Sequence, residues 1–135
     1  MTWRILIAED EALVAMDLAL EVEEARAIAV GPAASCAEAL ALIARERIDG
    51  AILDIQLADG DVTPAAEALL ELGAVVLLHT ASPTPQELAG RLDELDIIPK
   101  PADPRAVVRR LIARLEGRRY RRERPGNRRE NGARL

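Results

Sequence analysis

"GAILDI", residues 50–55, sets one carboxylate, Asp54, at the end of an otherwise unbroken apolar run. Apolar residues in succession, rather than alternating with polar ones, mark a strand covered on both faces. The same signature recurs in "WRILIA" (3–8), "AIAVG" (27–31), "AVVLLHT" (74–80) and "DIIP" (96–99), so five strands are expected. Helical stretches with chemical start signals lie between them. Ser35 precedes Glu38 by three residues and Thr84 precedes Glu87 by three, the spacing at which a hydroxyl and a carboxylate satisfy free helix amides. Thr63-Pro64 and Asp103-Pro104 each place a capping residue before a proline at the first helical position. Leu13, Met16 and Leu20 share one face of the first helix; Val107, Val108, Leu111, Ile112 and Leu115 form the apolar stripe of the last. Strands alternating with helices in this number predict an α/β domain: a doubly wound parallel sheet of five strands, wrapped on both faces by five helices through right-handed crossovers.

The 135 residues suffice for one domain with a single core, half of them being apolar. With no Phe, and Trp3 and Tyr120 as the only aromatics, that core must be aliphatic. The apolar runs are too short to cross a bilayer and the amino terminus lacks a signal-peptide layout, so a cytoplasmic protein with no membrane contact is expected. A single cysteine, Cys36, can make neither an intramolecular disulfide nor a thiolate metal cluster and reads as a small packing residue. The net charge of -5 hides a polarity along the chain. Residues 117–135 hold eight Arg against Glu123 and Glu130, while the preceding 116 residues carry the acidic excess. That Arg-rich tail is poor in apolar residues and contains Pro125, Gly126 and Gly132, so it is expected to be disordered or frayed beyond a domain spanning 1–116. It lacks aromatic interleaving and any reading module, so nucleic acid is not the expected partner.

In sheets of this class ligands bind beyond the carboxyl ends of the strands. Those ends bear Glu9, Asp10 and Glu11 after the first strand, Asp54 after the third, Thr80 after the fourth and Lys100 after the fifth. Acids after a strand also serve simply to open the next helix, where its dipole favours them. Asp54 is different, because a charge among apolar neighbours is costly without partners. Bunched carboxylates call for a cation, and an all-oxygen donor set suits Mg²⁺ better than zinc. A carboxylate can attack phosphorus to form an acyl phosphate, with metal and ammonium neutralising the phosphoryl oxygens. Lys100 is the only lysine in the chain, and a compact ammonium on a flexible stem serves such a point-charge role where a planar guanidinium does not.

At "AEDE" (8–11), "ILDIQL" (52–57), "LLHTA" (77–81) and "IPKP" (98–101) the chain resembles response-regulator receiver domains of two-component signalling, over about residues 4–116. The resemblance implies a flavodoxin-like sheet of order 2-1-3-4-5. It also implies that Asp54 accepts a phosphoryl group from a histidine kinase or histidine phosphotransfer protein. Asp10, Asp54 and the Gln56 carbonyl are implied to bind Mg²⁺ with Glu9 acting through water, Thr80 and Lys100 to engage the phosphoryl oxygens, and Lys100-Pro101 to be a cis peptide. The implied protein is a stand-alone, non-enzymatic phosphoacceptor, read by a downstream protein target through the last helix and fifth strand. No motif names that target, the cognate kinase or the oligomeric state.

Two departures from the family pattern bear on this. Receivers usually carry an aromatic residue three positions before the lysine, and here it is Ile97, which has no ring to swing. Ala58 stands where many relatives have proline. Gln56 and Ser82 occupy positions at which the family tunes dephosphorylation. Two rival classes follow: a pseudo-receiver that binds proteins without being phosphorylated, and an aspartate-nucleophile phosphatase of the haloacid dehalogenase type. The latter needs a second acid two residues after the nucleophile, where this chain has Gln56. His79, adjacent to Thr80 on a strand, should face the opposite side of the sheet and serve structure.

Overall fold

The computed structural model describes residues 2–123. In chain order the elements are β1 (Arg4–Ala8), α1 (Ala12–Glu24), β2 (Ile28–Ala33), α2 (Cys36–Arg45), β3 (Gly50–Leu53), β4 (Gln56–Leu57), β5 (Gly60–Asp61), α3 (Thr63–Glu71), β6 (Val75–Thr80), α4 (Gln86–Ala89), a 3-10 turn (Leu92–Glu94), β7 (Leu95–Pro99) and α5 (Pro104–Glu123). The main sheet is parallel with the order β2-β1-β3-β6-β7. Setting aside the two-residue strands β4 and β5, which pair only with each other, this is the expected 2-1-3-4-5 arrangement. No helix among the described residues is long and apolar enough to cross a membrane.

The three central strands β1, β3 and β6 bury both faces, which is why they read as continuous apolar runs, while the edge strands β2 and β7 are partly exposed. Leu6, Leu53, Val76 and Leu78 face a layer built by α2, α3 and α4, with Ala39, Ala65, Ala66, Leu69 and Leu88 packed on them. Ile5, Ile7, Ile52 and Leu77 face the other layer, α1 and α5, against Leu18, Val22, Val107, Val108, Leu111 and Leu115. Gly50 lets α5 come close: a Cβ there would lie 3.2 Å from Leu115 and 3.3 Å from Leu111. Gly31, at φ +95, precedes a cis bond to Pro32, and a Cβ would sit 2.9 Å from the Ala33 amide. The expected cis peptide is also present at Lys100-Pro101.

The helix starts follow the sequence signals unevenly. Ser35 caps α2 by accepting from the Glu38 amide at 3.1 Å, and Glu38 reaches back to the Ala34 amide at 3.1 Å. Asp103 accepts from the Arg105 amide at the start of α5. Thr63 is not the cap of α3 but its first residue; the N-cap position is Val62, without a side-chain cap, and Asp61 before it accepts from the Thr63 amide at 2.6 Å and from the Thr63 hydroxyl. The Thr84–Glu87 capping box does not form either: α4 is four residues long and begins after Pro85 without a side-chain cap. The N-cap position falls on Pro85, which has no side-chain oxygen to accept an amide.

Two further expectations are corrected. The stripe Leu13, Met16 and Leu20 is not the buried face of α1; these side chains are 76%, 56% and 54% exposed, and Ala15, Leu18 and Val22 make the buried face instead. Most of α1 is apolar, so periodicity alone cannot rank two competing faces. The arginine-rich segment also does not begin as an unstructured tail at residue 117, because α5 continues through Glu123. Arginine is a good helix former and extends a helix already nucleated by core packing. Residues 124–135 of the expected tail lie outside the described residues.

Candidate functional site

The carboxyl ends of β1, β3, β6 and β7 converge because the parallel ladder fixes their register. Backbone bonds carry the order past the strands themselves: Glu9 N–H donates to Ala33 O at 2.8 Å, Asp54 N–H to Ala8 O at 2.9 Å, and Lys100 N–H to Thr80 O at 3.0 Å. The residues bearing chemistry are thus held at the backbone before any side chain is considered.

Asp54 lies just beyond β3 and is buried, at 8% exposure. Its Oδ1 accepts from the Thr80 hydroxyl at 3.0 Å and, more weakly, from the Gln56 amide at 3.4 Å. Its Oδ2 accepts from Lys100 Nζ at 2.8 Å. Thr80 Oγ1 in turn accepts from the Ser82 amide at 3.1 Å, so the hydroxyl proton is aimed at Asp54. Lys100 Nζ also pairs with Glu9 at 2.9 Å and with Glu11 at 3.3 Å. The only lysine therefore answers three carboxylates at once. Burial by itself would lower the Lys100 pKa, but the hydrogen bonds and charges of Asp54 and Glu9 outweigh it and raise the value. Burial pushes the Glu9 carboxyl up; Lys100 and the Glu11 amide oppose that push, and the Asp54 charge adds to it.

The structure gathers Asp54, Thr80, Lys100 and Glu9 as the sequence suggests. It differs at two positions. Asp10 is exposed, and its carboxylate is not among those that cluster; it lies at the edge of a shallow groove with Glu9, Met16 and Pro32. Glu11, read from the sequence among the acids after the first strand but not among the implied metal ligands, contributes oxygen within 4.8 Å of those of Glu9 and Asp54. The run of three acids in "EDE" was the available signal, but spacing does not show which of them turns toward a lysine 89 residues away. Gln56 is exposed. Asp59, in the β4–β5 loop, caps α2 through the Cys36 and Ala37 amides at 2.7 and 3.0 Å, fixing the rim of the site.

The donor set tests a metal directly. Three carboxylates within 4.8 Å offer hard oxygen, and neither the only His nor the only Cys belongs to the cluster. Such a set fits a divalent cation of the Mg²⁺ type and does not fit zinc.

Comparison with solved structures follows the same lines. The chain is similar to a CheY-like response regulator receiver domain protein from Methanospirillum hungatei, with TM-score 0.77 and 24% identity over 89% of this chain and 98% of that one. It is similar to the REC domain of the PhyR response regulator from Erythrobacter litoralis, with TM-score 0.72 and 30% identity, covering 84% of this chain and 89% of that one. SdrG from Sphingomonas melonis matches with TM-score 0.69 and 32% identity, covering 84% and 96%. The chain belongs to the response-regulator receiver family. No family model and no curated protein sequence matches it, so the assignment is carried by structure together with the 30% identity to the PhyR REC domain. As a receiver it is unusual at Ile97, which is 38% exposed on β7 opposite Leu78, where an aromatic ring is customary.

Proposed function

We propose that this receiver accepts a phosphoryl group on Asp54 from the phosphohistidine of a histidine kinase or histidine phosphotransfer protein, in a Mg²⁺-dependent step, and signals through phosphorylation-dependent protein contact. The observation that supports it most is the double engagement of Asp54, with Thr80 on one oxygen and Lys100 on the other. A carboxylate with a hydroxyl and an ammonium already beside it has the groups that a phosphoryl adduct needs. In the transfer, an Asp54 oxygen forms a bond to phosphorus as the P–N bond of the donor breaks and the imidazole departs with the electron pair. Lys100 then follows the charge onto the phosphoryl oxygens, and the Thr80 hydroxyl donates to one of them. Glu9, Asp10, Glu11 and Asp54, with the Gln56 carbonyl, are the residues that would hold the cation, whose positive charge neutralises phosphoryl oxygen when bound.

The exposed stripe of α1 suits the donor's docking. Leu13, Met16 and Leu20 recur at helical spacing beside the acidic site, as expected of a face that packs on a partner helix. The face of β7 and α5 remains for the downstream target. Incubation with acetyl phosphate or phosphoramidate plus Mg²⁺ should add the mass of one phosphoryl group to the wild type and none to Asp54→Asn. No adduct from these donors or from a purified kinase would leave the pseudo-receiver reading, which the Ile97 departure favours.

A further inference from the structure

The Lys100 ammonium of this receiver donates to Asp54 at 2.8 Å and to Glu11 at 3.3 Å and is ion-paired with Glu9 at 2.9 Å. A lysine held by three carboxylates is freer to follow a phosphoryl oxygen once one of them lets go. Asp54 and Glu9 side chains are 9% and 2% exposed, whereas that of Glu11 is 65% exposed and makes the longest contact. Glu11 is the partner that leaves at least cost. Its backbone is that of an ordinary helix cap, extended at φ -80 and ψ 109 in the N-cap position of α1, yet its side chain caps nothing, and its amide donates to Glu9 at 3.1 Å. The carboxylate turns from the free amides of the helix, where the dipole would hold it, toward Lys100 and the other two acids.

Building on the reading of Asp54 as phosphoacceptor, we propose that Glu11 is a positioning residue that holds Lys100 in the resting site and releases it when it turns to a bound divalent cation. The release frees one N–H of Lys100 for the phosphoryl group. Metal binding and readiness for phosphorylation are then coupled through one exposed carboxylate, in addition to any direct action of the cation.

The lone lysine makes this testable, because ¹⁵N-lysine labelling places a single side-chain ammonium signal in the spectrum. In the wild type that signal should shift on adding Mg²⁺. In Glu11→Gln the metal-free signal should already lie toward the Mg²⁺-bound wild-type position. Titration calorimetry at fixed ionic strength should show Mg²⁺ binding weakened about 5- to 10-fold, as expected for a charge a few ångströms from a divalent ion near solvent. Glu11→Asp, which keeps the charge, should stay within about threefold of wild type. A Lys100 signal identical in wild type and Glu11→Gln with and without Mg²⁺, or Mg²⁺ affinity unchanged within about twofold, would overturn the proposal. A wild type that takes no phosphoryl group refutes the phosphoacceptor reading instead, and the spectrum still reports whether Glu11 couples Lys100 to the cation.

Discussion

Lys100 and His79 stand close together in the fold and show opposite consequences of burial. Lys100 is surrounded by acids, which more than offset the cost of removing its charge from water. Arginine there would keep the charge but lose the compact head, so Lys100→Arg should unfold cooperatively as the wild type does yet slow phosphorylation by acetyl phosphate about tenfold, or ~1.4 kcal/mol of lost transition-state stabilisation. His79 is 3% exposed, and neither ring nitrogen has a hydrogen-bond partner among the described residues. Burial, followed by the Lys100 charge, lowers its pKa, with Asp54 opposing. The unfolded chain therefore binds this proton more readily than the folded one. The stability linked to His79 is full above the unfolded value of about 6.5 and is lost as pH falls toward the depressed folded value. His79→Leu removes an unsatisfied buried group and should stabilise the protein by about 1 kcal/mol at pH 7.5, with the advantage growing in urea titrations at pH 6 and pH 5. An advantage that shrinks with acid would contradict this. At this scale the site was legible wherever residue type and strand end coincided, as at Asp54, Thr80 and Lys100. The relative roles of Asp10 and Glu11 were not, because they depend on side-chain rotation at a helix entry, which no spacing encodes.

Among the elements, α1 and α2 separate what packing requires from what it leaves free. Ser35 satisfies an amide at the start of α2, so Ser35→Ala should cost about 1 kcal/mol in urea unfolding. Leu18 on α1 is buried against the sheet, and Leu18→Ala should cost about 2–5 kcal/mol. Leu13→Gln and Met16→Gln, on the exposed side of the same helix, should change stability by no more than about 0.5 kcal/mol. The same two changes should weaken phosphoryl transfer from a protein donor while leaving transfer from acetyl phosphate intact. Equal loss with both donors would argue against α1 as a docking face. The five strands and the caps at Ser35 and Asp103 were readable because a doubly covered strand and a capping box are local patterns. The buried face of α1 and the brevity of α4 were not, since in a helix made largely of Ala, Leu and Val the sheet chooses the face, and a capping-box spacing marks a start without setting a length.

For the whole molecule, the sheet separates two ends with different work. Trp3 lies at the amino ends of the strands, with the Arg119 guanidinium 6.0 Å from its ring, while the acids gather at the carboxyl ends. Trp3 emission should therefore follow global unfolding yet respond little to Mg²⁺ in the folded state. Mg²⁺ should still raise the unfolding midpoint by linkage, contributing about 2.7 kcal/mol at 100 times its Kd, and Asp54→Asn should diminish that gain. The topology itself was legible from alternating runs, because right-handed crossovers leave few alternatives. Where α5 ends was not, since arginine is at home both in a solvated helix and in an unfolded segment. All of this depends on Asp54 being the atom donor to phosphorus, which reductive trapping reads at residue level: borohydride converts an aspartyl phosphate to homoserine. Treatment after acetyl phosphate and Mg²⁺ should give homoserine in place of Asp54 in the peptide carrying "AILDIQL", and homoserine at another acid, or at none, would contradict the account.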